Sequence, residues 1–174
     1  MEKMNITKIF GSEIKNLMGL IRSSGKECYI VGGAVRDFLL GNKKFGDIDL
    51  TTSLSVEALI KIFKKNNIEF DDRAIRYNCL TVNIQKRSLQ ITSFRRDIRT
   101  FGRAADVERI ENIEEDAKRR DFTINAFYCS FNGEIIDPLG NLKDLSIEKL
   151  KFIGDPEARI TEDYLRILRF FRFV

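Results

Sequence analysis

The chain contains no histidine, and its three cysteines, Cys28, Cys79 and Cys129, are scattered over 174 residues. Without an imidazole, every mechanism that needs a histidine base is excluded. So few sulfur ligands, so far apart, argue against a zinc site or a disulfide framework and for a reducing, cytoplasmic setting. No apolar run approaches the roughly 20 residues required to span a bilayer, so no membrane contact is expected. The opening MEKMNITKIF has no basic segment leading into an apolar core, so no secretory signal is expected either.

What is present is an ordinary globular balance, 43% hydrophobic and 32% charged residues, in a chain long enough for one real core. The net charge of +4 is weak evidence for an anionic partner. Its distribution says more. Arg95, Arg96, Arg99 and Arg103 form one group, Lys118, Arg119 and Arg120 a second, and Arg166, Arg169 and Arg172 a third. Solvated helix faces would carry such groups too.

Hydrophobic spacing predicts a helix through Phe10, Ile14, Leu17, Met18 and Ile21 that stops near Gly25, then a buried strand at CYIV, residues 28–31. Gly32-Gly33 break that strand, and AVRDFLL reads as a short helix closed by Gly41. Ser53 or Ser55 can cap a helix carrying Val56, Leu59, Ile60 and Phe63. LTVNIQ (80–85) and LQITSF (89–94) predict a hairpin joined by a short KRS link. Asn112-x-x-Glu115 resembles a capping box ahead of IEEDAKRR. Asn132-Gly133 predicts a second hairpin between NAFYCSF and EIID. DPLGN and GDPEA read as turns, and Thr161 as the cap of one final helix, EDYLRILRFFRFV. The pattern is an α+β domain: a small mixed sheet with helices.

The stretch FGDIDL (45–50) raises the question of chemistry. On a strand, Asp47 and Asp49 point the same way while Ile48 and Leu50 point to the other face, with the acids' Cα atoms roughly 6.6 Å apart. Two ionised carboxylates that close repel, and a divalent cation between them relieves the repulsion. The alternative is a turn whose aspartates simply face water. The surrounding string VGGAVRDFLLGNKKFGDIDLTTS (31–53) bears on the choice. Glycines at a strand end let a phosphate approach the backbone, a helix N-terminus offers unpaired N–H groups, and Arg36 can grip phosphate bidentately. A triphosphate cradle beside an aspartate pair is the layout of two-metal phosphoryl or nucleotidyl transfer.

That string resembles the signature of the class II tRNA nucleotidyltransferase and bacterial poly(A) polymerase family. So do RRDFTINAF at 119–127 and DPLGNLKDL followed by RITEDYLRILRFFRF at 137–173. The resemblance implies a nucleotidyltransferase (polymerase beta-like) head over residues 1–145 and the start of a helical neck over 146–174. It implies template-independent transfer of CTP or ATP to an RNA 3′ end, most simply CCA addition to tRNA, with poly(A) tailing as a neighbouring reading. Asp47 and Asp49 match the catalytic, metal-binding pair, which implies two Mg²⁺ ions. Gly32, Gly33 and Arg36 match the triphosphate-binding turn, braced by Asp37. Arg120 matches a nucleotide-contacting arginine, with Asp121 and Asn125 shaping the ribose pocket. Asp163 and Arg166 match the pair that reads the base, and Arg169 and Arg172 continue that side of the helix.

The base-reading pair also has its own logic. Three residues apart on a helix, Asp163 and Arg166 are neighbours. A carboxylate beside a guanidinium suits the amino donor and ring-nitrogen acceptor of C and A. G and U would leave polar groups unpaired at about 1–3 kcal/mol each. An ordinary i,i+3 ion pair is the competing explanation. Three departures from the family pattern cluster together. Gln90 stands where a glutamate is usual, Asn78-Cys79 where Gly-Thr is usual, and FGRAA where Asp-Gly-Arg-His is usual, with Phe101 and Ala104 at the first and last of those positions. Family members also continue into neck, body and tail segments that grip tRNA, which here would come from elsewhere, such as a separate chain. A non-catalytic nucleotide- or protein-binding module is the alternative from another class.

Overall fold

The period-2 stretches at 28–31, 48–52, 79–84 and 87–93 form the frame of the molecule. The computed structural model describes residues 3–84, 87–101 and 104–174. In chain order the elements are α1 (Ile6–Phe10), α2 (Ser12–Arg22), β1 (Cys28–Val31), α3 (Gly33–Leu39), β2 (Ile48–Thr52), α4 (Val56–Lys65), β3 (Phe70–Asp71), β4 (Cys79–Ile84), β5 (Arg87–Ser93), β6 (Arg95–Phe101), β7 (Ala104–Arg109), α5 (Ile113–Lys118), β8 (Tyr128–Cys129), β9 (Ile135–Ile136), α6 (Leu142–Ser146), α7 (Pro156–Glu162) and α8 (Leu165–Phe173). The main sheet runs β3-β4-β5-β2-β1-β8-β9, and β6-β7 form a separate ribbon. β2 and β5 are parallel while the remaining pairs are antiparallel, so the sheet is mixed, as expected.

Two helices cover one face of that sheet. α2 buries Ile14, Leu17, Met18 and Ile21, but Phe10, expected on the same helix, ends α1 instead, because Gly11 (φ +101°) separates the two. α4 buries Val56, Leu59 and Phe63, and the Ser55 side chain accepts from the Ala58 N–H to cap it. Both stripes join Ile30, Leu50, Leu80 and Ile91 in one cluster. Each such side chain contributes about 1.5–3 kcal/mol on burial, so truncating the fully buried Leu59 to alanine would cost about 2–5 kcal/mol. A smaller cluster of Val31, Phe94, Ala117, Ala126, Tyr128 and Ile153 lies apart from it.

The end of the chain is tied back to the middle. Thr123 N–H donates to the Lys151 carbonyl (2.9 Å) and Ile153 N–H to the Asp121 carbonyl (3.0 Å). Phe122 packs against Phe152 and Phe173, with ring centroids 4.7 and 5.7 Å away. These contacts hold α7 and α8 beside the Arg119–Asp121 segment.

Several expectations need correction. Arg87 and Ser88 belong to β5 rather than to a link, because Ile84 pairs with Arg87; Gln85 and Lys86 lie outside the described residues. The ribbon β6–β7 was not anticipated, since charged residues at 95–99 obscure its period. Of the FGRAA segment, Gly102 and Arg103 lie outside the described residues. GDPEA does not merely turn. Asp155 accepts from the Ala158 N–H (2.9 Å) and Pro156 opens α7, a favourable cap and first position. The single final helix capped by Thr161 is therefore two helices. Thr161 lies inside α7 with its hydroxyl donating to the Glu157 carbonyl (2.9 Å), and the chain is extended at Asp163 (φ −155°, ψ 102°) before α8.

Candidate active site

β2 alternates as expected: Ile48 and Leu50 are buried, Asp49 is half-buried and Asp47 is exposed. The strand begins at Ile48, so Asp47 precedes it by one residue rather than lying within it. Ladder pairing explains this, because the partner strand β5 first engages β2 at Ile48, opposite Leu89. The two acids remain electrostatic neighbours. Burial pushes the Asp49 carboxyl above its ordinary value, Asp47 pushes it further, and Arg120 and Arg169 pull it back.

Asp49 lies opposite Val31, the last residue of β1, and so beside the double-glycine turn. Gly32 has φ +76° and ψ −131°, a conformation that L side chains rarely adopt. A side chain there would also approach Arg120 Nη1 and the Asn125 carbonyl, each 3.8 Å from an added Cβ. α3 starts at Gly33, and the first N–H groups of a helix have no intrahelical acceptor. On the other side Asp49 is in register with Gln90 of β5, which is exposed. A glutamate at position 90 would have added a third carboxylate to this edge.

Arg119, Arg120, Asp121, Asp163, Arg166 and Arg169 line a polar cavity of about 230 Å³. Tertiary packing thus gathers four expected nucleotide-binding residues, although they come from segments more than 40 positions apart. Arg120 is held by Asp116 and Tyr128. Burial alone would raise the Asp116 carboxyl, but Arg119, Arg120 and the Tyr128 hydroxyl more than reverse this and bring it to about 2. Arg169 pairs with Asp121 (2.6 Å). Asp121 accepts from the Asn125 side chain (3.2 Å), whose oxygen accepts from Arg36 Nη1 (2.7 Å).

Two expected residues stand elsewhere. Arg36 donates through Nε and Nη2 to Asp37, in keeping with the brace expected there. However, it borders a second, more apolar cavity of about 630 Å³ with Leu40, Ile124, Phe170 and Phe173. Arg172 is exposed over the Phe173 ring (4.9 Å) and does not line the polar cavity.

Asp163 and Arg166 both reach the polar cavity, but not as neighbours within one helix. Asp163 occupies the break, and its side chain accepts from the Leu165 N–H (3.1 Å). Arg166 is only 9% exposed and donates to Glu162 Oε2 (2.6 Å) and the Arg159 carbonyl (2.5 Å). Its ion pair is therefore with Glu162 at i−4, not with Asp163. Asp116, Tyr128, Arg159 and Glu162 were not singled out from the sequence. The i,i+3 and i,i+4 spacing of Asp116 to Arg119 and Arg120 was a usable signal; Tyr128 offered none.

The residues present suit a hard divalent cation. Asp47 and Asp49 are oxygen donors, and a cation would relieve both their mutual repulsion and the partial burial of the Asp49 charge. Mg²⁺ is ordinarily held by one or two carboxylates together with substrate phosphates. Among the described residues no cluster of three or more such ligands occurs, consistent with Gln90 at the third position.

Such an acid edge, next to a glycine turn and an arginine-lined cavity on a mixed sheet, defines a nucleotidyltransferase-type head. A family model described as the poly A polymerase head domain matches residues 28–151, and the chain belongs to that family. It is 37% identical over 166 residues to the human mitochondrial CCA tRNA nucleotidyltransferase 1, covering 95% of this chain and 38% of that one. To the CCA-adding enzyme of Lactobacillus helveticus it is 39% identical over 155 residues, 88% of this chain and 38% of the relative. The crystal structure of the Bacillus stearothermophilus CCA-adding enzyme in complex with CTP superposes with a TM-score of 0.81 at 34% identity, covering 94% of this chain and 38% of that one. A tRNA nucleotidyltransferase complexed with a primer tRNA and an incoming ATP analog superposes at 0.71 with 31% identity, covering 90% and 44%. The chain thus spans about two fifths of the length of these relatives.

Proposed function

We propose that this chain is the catalytic head of a template-independent RNA 3′-terminal nucleotidyltransferase that adds C and A to tRNA. The observation that carries the reading is the register of Val31 with Asp49, which sets the acid pair beside the Gly32-Gly33 turn. Relatives named as CCA-adding enzymes, one of them in complex with CTP, support the choice of substrate class. Residues 1–145 form the head, and 146–174 begin a helical neck whose remaining segments, in a longer chain or a separate one, would grip the tRNA.

Asp47 and Asp49 would hold Mg²⁺, two ions in this reading, which when bound supplies charge neutralisation to the attacking and leaving oxygens. The chain's own groups bind and orient. The glycine turn and Arg120 receive the triphosphate, with Arg36 bracing the turn through Asp37 and Asn125. Asp163 and Arg166 face the base, and Arg169 and Asp121 close the cavity around the ribose; Arg172, outside that cavity, would meet RNA rather than the incoming nucleotide. An RNA 3′-hydroxyl then displaces pyrophosphate from the α-phosphorus, with no histidine needed as a base. Three free, buried cysteines suit a reducing cytoplasmic compartment; burial pushes the Cys129 thiol up to about 12.

The test is incorporation of labelled CTP or ATP into tRNA lacking its terminus, with Mg²⁺, with and without a neck-and-body segment supplied in trans. Incorporation that Asp49→Ala abolishes is expected. No incorporation in either arrangement overturns the reading, and a long homopolymer from ATP alone would assign poly(A) tailing instead. The non-catalytic alternative draws on one observation, the amide of Gln90 beside Asp49. It predicts nucleotide binding indifferent to Mg²⁺.

A further inference from the structure

Tyr128 has no part in the chemistry above, yet its hydroxyl lies at the centre of a buried polar ring. It donates to Asp116 Oδ2 (2.8 Å) and accepts from Arg120 Nε (3.1 Å). The same Asp116 oxygen accepts from Arg120 Nη2 (3.1 Å), which closes the ring. Tyr128 and Asp116 are fully buried, and the Arg120 side chain is only 15% exposed. The guanidinium lies 5.2 Å from the Tyr128 ring centroid. The hydroxyl and carboxylate therefore engage Nε and Nη2, while Nη1 remains beside Gly32, 3.8 Å from where a Cβ would stand.

We propose that Tyr128 is a positioning residue for Arg120, a clamp that locks its guanidinium so that Nη1 faces the Gly32-Gly33 turn and meets the polyphosphate of a nucleoside triphosphate. The proposal rests on the nucleotide reading above and adds to it the residue that aims the cation. Packing does not call for the hydroxyl. Tyr128 lies in an apolar cluster with Val31, Phe94, Ala117 and Ala126, where phenylalanine would fill the same space without a polar group to desolvate. A guanidinium is a planar fork, and its value for phosphate recognition depends on the orientation of that fork. Two of its nitrogens are committed to a fixed buried pair, and the third is left toward the turn.

The experiment measures Mg²⁺-CTP and Mg²⁺-ATP affinity of the whole chain, wild type against Tyr128→Phe, Arg120→Lys and the double variant, well below each melting temperature. Tyr128→Phe is expected to bind triphosphates about tenfold more weakly, the scale of losing a hydrogen bond to a charged group. In the Arg120→Lys background it should add nothing, because the clamp then has no fork to aim. Wild-type affinity in Tyr128→Phe, or losses that simply add in the double variant, overturns the proposal. If Tyr128→Phe melts too low, Asp116→Asn keeps the shape, weakens the same ring and takes the same cycle. A ¹⁵N spectrum of the Arg120 Nε–H separates the two levels of failure. A signal protected in wild type and lost in Tyr128→Phe sustains the clamp even if wild type binds no nucleotide, which would defeat the nucleotide reading alone.

Discussion

Two carboxylate sites of this molecule, Asp49 on β2 and Asp116 on α5, behave in opposite ways. Asp116 is fully buried, but Arg119, Arg120 and Tyr128 surround it and hold its carboxyl down to about 2. Asp49 is less buried, yet burial pushes its carboxyl up and Asp47 adds to the push, while Arg120 and Arg169 offset only part of it. The first site is internally neutralised and acts as scaffold. The second is short of positive charge, and a bound cation would supply it. The difference lies in what faces each acid, not in the acids themselves.

The comparison breaks most sharply at the acid edge. Asp47→Ala or Asp49→Ala should reduce Mg²⁺-dependent incorporation on the order of a thousandfold, the loss typical of removing a key electrostatic group. The melting temperature should not fall, since neither acid is in a salt bridge among the described residues; a retained rate would make the edge ornamental. Asp116→Ala should do the reverse. It leaves two largely buried arginines without their carboxylate and should cost about 3–5 kcal/mol in denaturant unfolding. With its folded pKa depressed, Asp116 stabilises the fold above the ordinary aspartate value, and that contribution is lost as pH falls toward about 2. An acid-unfolding curve identical in Asp116→Asn would refute this.

Gln90→Glu sharpens the contrast by making the edge more acidic. A third carboxylate beside Asp49 should tighten Mg²⁺ binding by about tenfold, since ligand charge count sets affinity at such sites, and calorimetry with the metal alone reads the change. The smallest effect should come from Asp49→Asn measured in chelator. Because the folded pKa of Asp49 is raised, its ionisation costs stability as pH rises from the ordinary aspartate value through the folded one. Removing the charge should then stabilise the metal-free protein at neutral pH. The effect should be on the order of 1 kcal/mol or less, because Asp47 is exposed and water screens its repulsion. A melting temperature lower than wild type in chelator would show that Asp49 is already satisfied.

Much of the fold was legible because it follows from short-range periodicity. The stripes of α2 and α4, the strand at 28–31 and the Ser55 cap appear where spacing and cap chemistry put them. The ribbon at 95–109 was not legible, since charged residues dominate its first strand. The break at Asp163 escaped for a related reason. EDYLRILRFFRFV has helical spacing throughout, and a side chain that takes over the Leu165 N–H competes with the helix without changing that spacing. The approach of Asp49 to the glycine turn was inferable from one contiguous string. The ring of Asp116, Arg120 and Tyr128 was only half inferable, because the tyrosine comes from a strand that local spacing does not link to α5.

Composition and local pattern by themselves determined that this protein has no histidine chemistry, an α+β core, and two acids one residue apart beside a glycine-broken strand. They could do so because strand and helix periods act over a few residues. Only the tertiary structure decided which cations face which acids, that Gln90 lies level with Asp49, and that Arg36 and Arg172 stand outside the cavity shared by Arg120, Asp163, Arg166 and Arg169. Those are contacts between distant segments, and their electrostatics depend on burial and direction, which exist only once the chain has packed.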